Sequence, residues 1–118
     1  MKLITAIVRP EKLDELVPAL TDHGVRGLTV TDVRGFGQQH GRLIGTAARV
    51  TGPDGGRMAV LLQKVRLDVV VLDDDAETVV EVIAKHARTE TIGDGKIWVT
   101  PVDSALRVRT GERDRAAV

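Results

Sequence analysis

The sequence predicts an α+β domain: a four-stranded antiparallel sheet with two helices on one of its faces. Three observations carry this. Short runs rich in Ile, Val and Thr are separated by Gly, Pro and Asp; two segments have apolar residues at helical spacing; and the order is strand, helix, strand, strand, helix, strand.

The elements follow in order. Leu3 to Arg9 reads as a strand ending at Pro10, which suits the first turn of a helix because its missing N–H would be unpaired there. From Glu11, Leu13, Leu16, Val17 and Leu20 share one helical face, and Gly24 stops the helix after His23. Pro18 lies inside this helix and predicts a kink or tightened turn at the carbonyl of Asp14. Leu28 to Arg34 reads as a second strand. Gly35 to Arg57 has no usable period and holds seven of the twelve glycines, so it reads as a long loop without regular structure. Ala59 to Leu72 is a third strand. Ala76 to Arg88 is a second helix, with Val79, Val80, Ile83 and Ala87 on one face and Asp74 or Asp75 expected to cap it. Lys96 to Thr100 is a fourth strand, stopped by Pro101. Arg107 to Thr110 is expected to be short and extended, and Gly111 onward a charged tail. The pattern is the ferredoxin-like double split βαβ, in a single domain over residues 1–118.

Composition narrows the function. Lys plus Arg and Asp plus Glu are 17 each, so no net charge draws the chain to phosphate backbones or anionic lipid. One Trp, one Phe and no Tyr leave little to stack bases on, so nucleic acid is not an expected partner. The absence of Cys removes disulfides, thiolate metal sites and a thiol nucleophile, and fits a cytoplasmic location. The apolar runs are far shorter than the roughly 20 residues needed to span a bilayer, and no signal peptide is expected.

The strands are apolar on both faces. Leu3 and Ile7 oppose Ile4, Ala6 and Val8; Val65, Leu67, Val69 and Val71 oppose Val70 and Leu72. Leaving large aliphatic side chains wet forfeits about 1.5–3 kcal/mol each, so the sequence predicts a homo-oligomer that packs the second faces together. The alternative is a C-terminal segment, 101–118, folded under the sheet.

Several groups suit an anion. Gly93-Asp94-Gly95-Lys96 offers backbone N–H groups beside a cation, though its spacing is not a Walker A loop; taken alone, the segment is read first as a tight turn between helix and strand with a solvent-exposed Lys. Arg107 and Arg109, two apart on an extended segment, would present two guanidinium forks on one face, or form a charged edge. Arg88 suits a helix C-terminus. Gly35-Phe36-Gly37-Gln38-Gln39 would let backbone amides approach a ligand or act as a hinge. The long glycine-rich loop is either a tolerated insertion or a segment that orders on binding. His23, His40 and His86 are scattered, and no zinc motif or Ser–His–Asp set can be drawn from them and Ser104.

Met1 to Pro10, Gly27-Leu28-Thr29-Val30-Thr31-Asp32-Val33-Arg34-Gly35-Phe36-Gly37, Ile92 to Val99 and Arg107-Val108-Arg109-Thr110-Gly111-Glu112, in that order, resemble the PII signal-transduction family, the nitrogen regulatory protein P-II family. The resemblance covers nearly the whole chain. It implies a homotrimer with an ATP or ADP site in each cleft between subunits. It implies a T-loop over 35–62 that contacts target proteins, a B-loop over 89–96 and a C-loop around Arg107 to Arg109. The nucleotide-binding residues it implies are Ile7, Thr29, Gly35, Phe36, Gly37, Gln38, Lys64, Val70, Arg88, Gly93, Asp94, Gly95, Lys96, Arg107 and Arg109, the last two reaching the phosphates from the neighbouring subunit. Gln39 would help hold Mg²⁺ and 2-oxoglutarate beside ATP, and Lys64 would pair with a 2-oxoglutarate carboxylate. The implied protein is a non-enzymatic regulator of nitrogen-metabolism enzymes, transporters or regulators, a membrane transporter being a target without any insertion of this chain itself.

The chain departs from the family pattern in four places. Gln38 stands where Arg usually meets the terminal phosphate. No Tyr exists to be uridylylated or adenylylated, and Thr51 stands near its usual place. The long loop exceeds the usual length. Glu90 replaces a common Gly. These departures keep two other readings in view: a PII-like sensor of carbon status, binding ADP or AMP with bicarbonate or another small anion and controlling a transporter or carboxylase, and, more distantly, a weak nucleotide hydrolase using Asp94.

Overall fold

Backbone pairing turns the short β-branched runs into one sheet. The structure is a computed structural model describing residues 1–37, 47–51 and 58–118. Strands β1 (Lys2–Val8), β2 (Thr29–Gly35), β3 (Ala47–Thr51), β4 (Met58–Val71) and β5 (Lys96–Pro101), with helices α1 (Leu13–Asp22) and α2 (Ala76–Ala87), make up the fold. The long strands lie in the order β2-β4-β1-β5, every pairing antiparallel. This is the predicted ferredoxin-like arrangement.

The 23-residue loop without regular structure is corrected. Within it, Ala47–Thr51 forms β3, which pairs with the first residues of β4, Ala47 opposite Leu62 and Thr51 opposite Met58. The third predicted strand is thus fourteen residues long and reaches beyond the main sheet. Alternation along β3 is too short to reveal a strand whose partner is the extension of another. Gln38 and Gln39 lie outside the described residues.

The core sits between the sheet and the helices. Ile4, Ala6 and Val8 of β1 and Val65, Leu67, Val69 and Val71 of β4 pack against Leu16, Ala19 and Leu20 of α1 and Val79, Val82, Ile83 and Ala87 of α2. Val82 takes a core place that the period assigned to Val80, which is only partly buried. Each large aliphatic side chain buried here stabilises the fold by about 1.5–3 kcal/mol.

The register defines the other face. Thr29, Asp68, Thr5 and Trp98 lie in one row across β2, β4, β1 and β5; Thr31, Arg66, Ile7 and Lys96 form the next. Leu3, Val70 and Trp98 keep this face partly apolar, Val70 and Trp98 being 38% and 40% exposed. It is more polar than the alternation alone implies. The Thr5 hydroxyl donates to Asp68 Oδ1 at 2.7 Å, and Arg66 Nε donates to Asp68 Oδ2 at 2.8 Å. The Arg66 bond, opposed by burial and assisted by Thr5, holds the Asp68 carboxyl below its ordinary range.

Three local expectations change. The Asp73–Asp75 segment is a 3₁₀ turn running straight into α2, and Asp75 makes no side-chain cap bond. Its backbone is already helical, whereas a capping side chain needs an extended residue. Asp73 instead accepts the terminal amine of Met1 at 2.9 Å. Arg107 to Thr110 is not extended: it forms a turn closed by Gly111 N–H to Arg107 O and Arg107 N–H to Glu112 O, both 2.8 Å, with Gly111 at φ +73°. An αL glycine lets the chain reverse there. The charged tail is ordered as well. Leu106 bridges Arg113, Asp114 N–H donates to Ala105 O at 2.8 Å, and Asp114–Ala117 forms a 3₁₀ turn. The helix end at Gly24 matches the sequence. Gly24 N–H donates to Thr21 O and Val25 N–H to Leu20 O, the paired bonds of a Schellman cap with Gly24 at φ +86°. Helix α1 runs through Pro18 as one ten-residue helix.

Candidate functional site

The segment between α2 and β5 is built around one carboxylate. Asp94 accepts the backbone N–H of Thr89 at 2.7 Å, that of Glu90 at 2.8 Å, Arg9 Nε at 3.1 Å and the Thr89 hydroxyl. Burial pushes its carboxyl up, but these donors overcome that and hold it well below the usual carboxylate range. Arg9 also donates to the Thr91 hydroxyl at 2.9 Å and to the Ile92 carbonyl at 2.8 Å. Lys64, on β4 and 8% exposed, donates to the Gly93 carbonyl at 2.5 Å. Its ammonium is pushed below its ordinary value, first by burial and then by the charge of Arg9.

Two cations, Lys64 on β4 and Arg9 just past the end of β1, therefore hold the loop. Gly93 and Gly95 have φ of +104° and +100°. A Cβ on Gly95 would stand 1.7 Å from the Ile7 carbonyl oxygen. This contact requires glycine twice over, by dihedral and by space. The result is a held backbone turn ending at the exposed side chain of Lys96, which lies opposite Ile7 in the sheet. Such a turn beside a cation can receive phosphate. Exposed Arg88 lies at its other end, 3.5 Å from Glu90.

The predicted site residues fall into two groups. Ile7, Gly35, Phe36, Gly37, Lys64, Arg88, Gly93, Asp94, Gly95 and Lys96 belong to the Lys96 end of the sheet: Ile7 pairs with Lys96, Gly35 pairs with Leu62, Phe36 and Gly37 follow Gly35, and Lys64 bonds Gly93. Thr29, Val70 and Arg107 line a cleft of ≈ 780 Å³ at the opposite end, between the His23–Thr29 connection and the C-terminal segment. Arg107 is oriented there by Glu112, Nη1 to Oε1 at 3.0 Å. Arg109 lies on the same turn and is exposed. The six residues of β5 set Lys96 roughly 17 Å from Pro101, and Arg107 lines the cleft with Val70, Val71 and Leu72, where Lys96 does not. Lys96 and Arg107 of one chain therefore do not meet on one phosphate group.

Sequence reasoning missed Arg9, Thr89, Thr91 and Glu112. Arg9 read as the end of a strand, and only the sheet register, with β5 beside β1, shows that it lies under the loop preceding Lys96. Among the described residues no three His, Asp or Glu side chains gather as a metal site. None of the described helices is long and apolar enough to cross a membrane.

Comparison with known proteins matches the profile described as "Nitrogen regulatory protein P-II" to residues 1–112. A nitrogen regulatory protein P-II of Cereibacter sphaeroides is 48% identical over the full length of both chains. Nitrogen regulatory protein P-II 2 of Methanothermobacter thermautotrophicus is also 48% identical, over all of this chain and 97% of its own. Nitrogen regulatory protein GlnK of Escherichia coli K12 is 42% identical over the whole of both. With the ferredoxin-like sheet and full-length similarity together, the chain belongs to the nitrogen regulatory protein P-II family of signal-transduction proteins.

Proposed function

We propose that the protein is a non-enzymatic sensor of ATP and ADP that works as a homotrimer and regulates a target protein of nitrogen metabolism through its 35–62 loop. One observation carries this: the residues suited to phosphate are divided between opposite ends of one sheet. Head-to-tail association of copies in a closed ring would bring the Gly93–Lys96 loop of one subunit to the Arg107 turn of the next. Each ligand would then sit at a seam, among glycine amides, Lys96, Arg107 and Arg109. The partly apolar open face of the sheet gives those copies a surface to share.

The backbone fits such a ligand because Gly95 leaves the loop without side-chain bulk and Arg9 and Lys64 hold it in shape. Mg²⁺ keeps few protein ligands and binds largely through substrate phosphates. It would therefore arrive with ATP and neutralise phosphate charge, with Gln39 as its expected protein ligand. Bound 2-oxoglutarate would share that ion and pair with Lys64, whose ammonium would have to leave or share the Gly93 carbonyl. Ligand identity would so be felt by the loop and by the T-loop base at Gly35–Gly37.

The regulatory names of the relatives support a regulator rather than a catalyst. Asp94 also makes a poor hydrolytic base, since its lone pairs already accept four donors and its basicity is lowered. Those names do not favour the carbon-status alternative.

Calorimetry with ATP, ADP and AMP, each with and without Mg²⁺ and 2-oxoglutarate, tests the reading. ATP and ADP are expected to bind, and 2-oxoglutarate only together with Mg²⁺-ATP. Tight 2-oxoglutarate binding to nucleotide-free protein would contradict the scheme, and no nucleotide binding at all would end it.

A further inference from the structure

Glu90 is the outlier of the loop. It is a non-glycine residue at φ +65°, a conformation that costs an L residue free energy and that glycine adopts freely. Its N–H is bonded to Asp94 at 2.8 Å, so the backbone is pinned in this shape. Its Oε1 lies 3.5 Å from Arg88 Nη2, both side chains being largely exposed. The other charges of the loop are already engaged: Arg9 with Asp94, Thr91 and Ile92, and Lys64 with the Gly93 carbonyl. Arg88 and Lys96 are the cations of the 88–96 segment that face solvent, and Glu90 takes one of them as its partner.

We infer that Glu90 is a specificity-determining residue of this phosphate loop, competing with the ligand for Arg88 and so weakening binding more as ligand charge rises. This rests on the nucleotide reading above. Without Glu90 the segment offers two exposed cations to an incoming anion; with it, one and a partly neutralised second. The loss falls hardest on the most charged ligand, so the site discriminates less steeply between ATP, ADP and AMP than its cations alone would. The effect acts between exposed groups and fades with salt.

Glu90→Gln removes the charge and keeps the side-chain bulk and the strained backbone, whereas Glu90→Gly removes all three. Calorimetry on the full chain with AMP, ADP and ATP at low ionic strength is the test. Both variants are expected to bind ATP about 3-fold more tightly, ADP less so and AMP almost unchanged, with the gain vanishing in about 0.5 M salt. In an Arg88→Gln background, Glu90→Gln should give no gain. An equal change for all three nucleotides, or none, overturns the inference while leaving the site intact. A gain that persists without Arg88 overturns the competition. Failure of the unaltered protein to bind any nucleotide overturns the site reading and the inference together.

Discussion

Asp94 shows how one side chain can set a loop. It is a carboxylate with two backbone and two side-chain donors, and its folded protonation constant is depressed. A depressed value means that its stabilising contribution is complete above the unfolded value of about 4 and is lost as acid protonates it in the fold. Asp94→Asn turns an amide toward N–H donors and is expected to cost about 1–3 kcal/mol at pH 7. Urea denaturation should show that deficit shrinking as the pH is taken from 7 to below about 3; parallel curves for the two proteins would refute the assignment. Gly95 is the second residue on which the loop depends. Gly95→Ala places a methyl inside the van der Waals radius of the Ile7 carbonyl at a dihedral alanine avoids. A loss of about 2–4 kcal/mol, or detachment of the loop from β1 seen as faster amide exchange at Gly95, is expected; unchanged stability and exchange would contradict the close approach.

Among the elements, α1 carries an evident flaw. Pro18 lies in the middle of a ten-residue helix, has no N–H for the Asp14 carbonyl, and is exposed. Packing of Leu16, Ala19 and Leu20 keeps the helix whole despite it. Pro18→Ala should therefore raise stability, by about 1–3 kcal/mol, because the missing bond is restored without disturbing the core. Thermal denaturation checks this, and a lowered midpoint would show that the proline serves packing instead. The same helix is tied to α2 by Glu15 and His86, 3.0 Å apart, and the His86 hydrogen bond draws the Glu15 carboxyl below its ordinary range. The elements that hold the site are thus rigid in different ways: β1 and β5 through a six-rung ladder, the 89–95 loop through Asp94, and the C-terminal turn through Leu106, Arg113 and Asp114.

At the scale of the molecule, the division of the cations predicts complementation. Lys96→Ala and Arg107→Ala proteins should each bind nucleotide at least ~10-fold more weakly, since each loses a charge-assisted phosphate contact. Subunits of the two kinds, unfolded together and refolded as mixed trimers, should regain unaltered sites at about one seam in four, because only some seams join an intact Lys96 to an intact Arg107. Calorimetric stoichiometry measures that fraction. No recovery on mixing would mean that both residues serve the same subunit's site, which the roughly 17 Å along β5 opposes.

Local chemistry was enough to determine the order of the four long strands and two helices, the fold, the helix end at Gly24 and the glycines of the 93–95 turn. Each depends on residues near in sequence: β-branched runs, a 3.6-residue period, a residue free to take positive φ. The family was legible too, because its motifs are short and keep their order. Tertiary structure alone decided the rest. Strand β3 exists because β4 extends to meet it; Arg9 serves the loop because β5 pairs beside β1; and the phosphate-suited residues separate because the sheet holds its two ends apart. Pairing of β1 with β5, and the bonds from Arg9 to the loop before it, join residues some 80 or more positions apart, and a one-dimensional pattern carries no term for those distances.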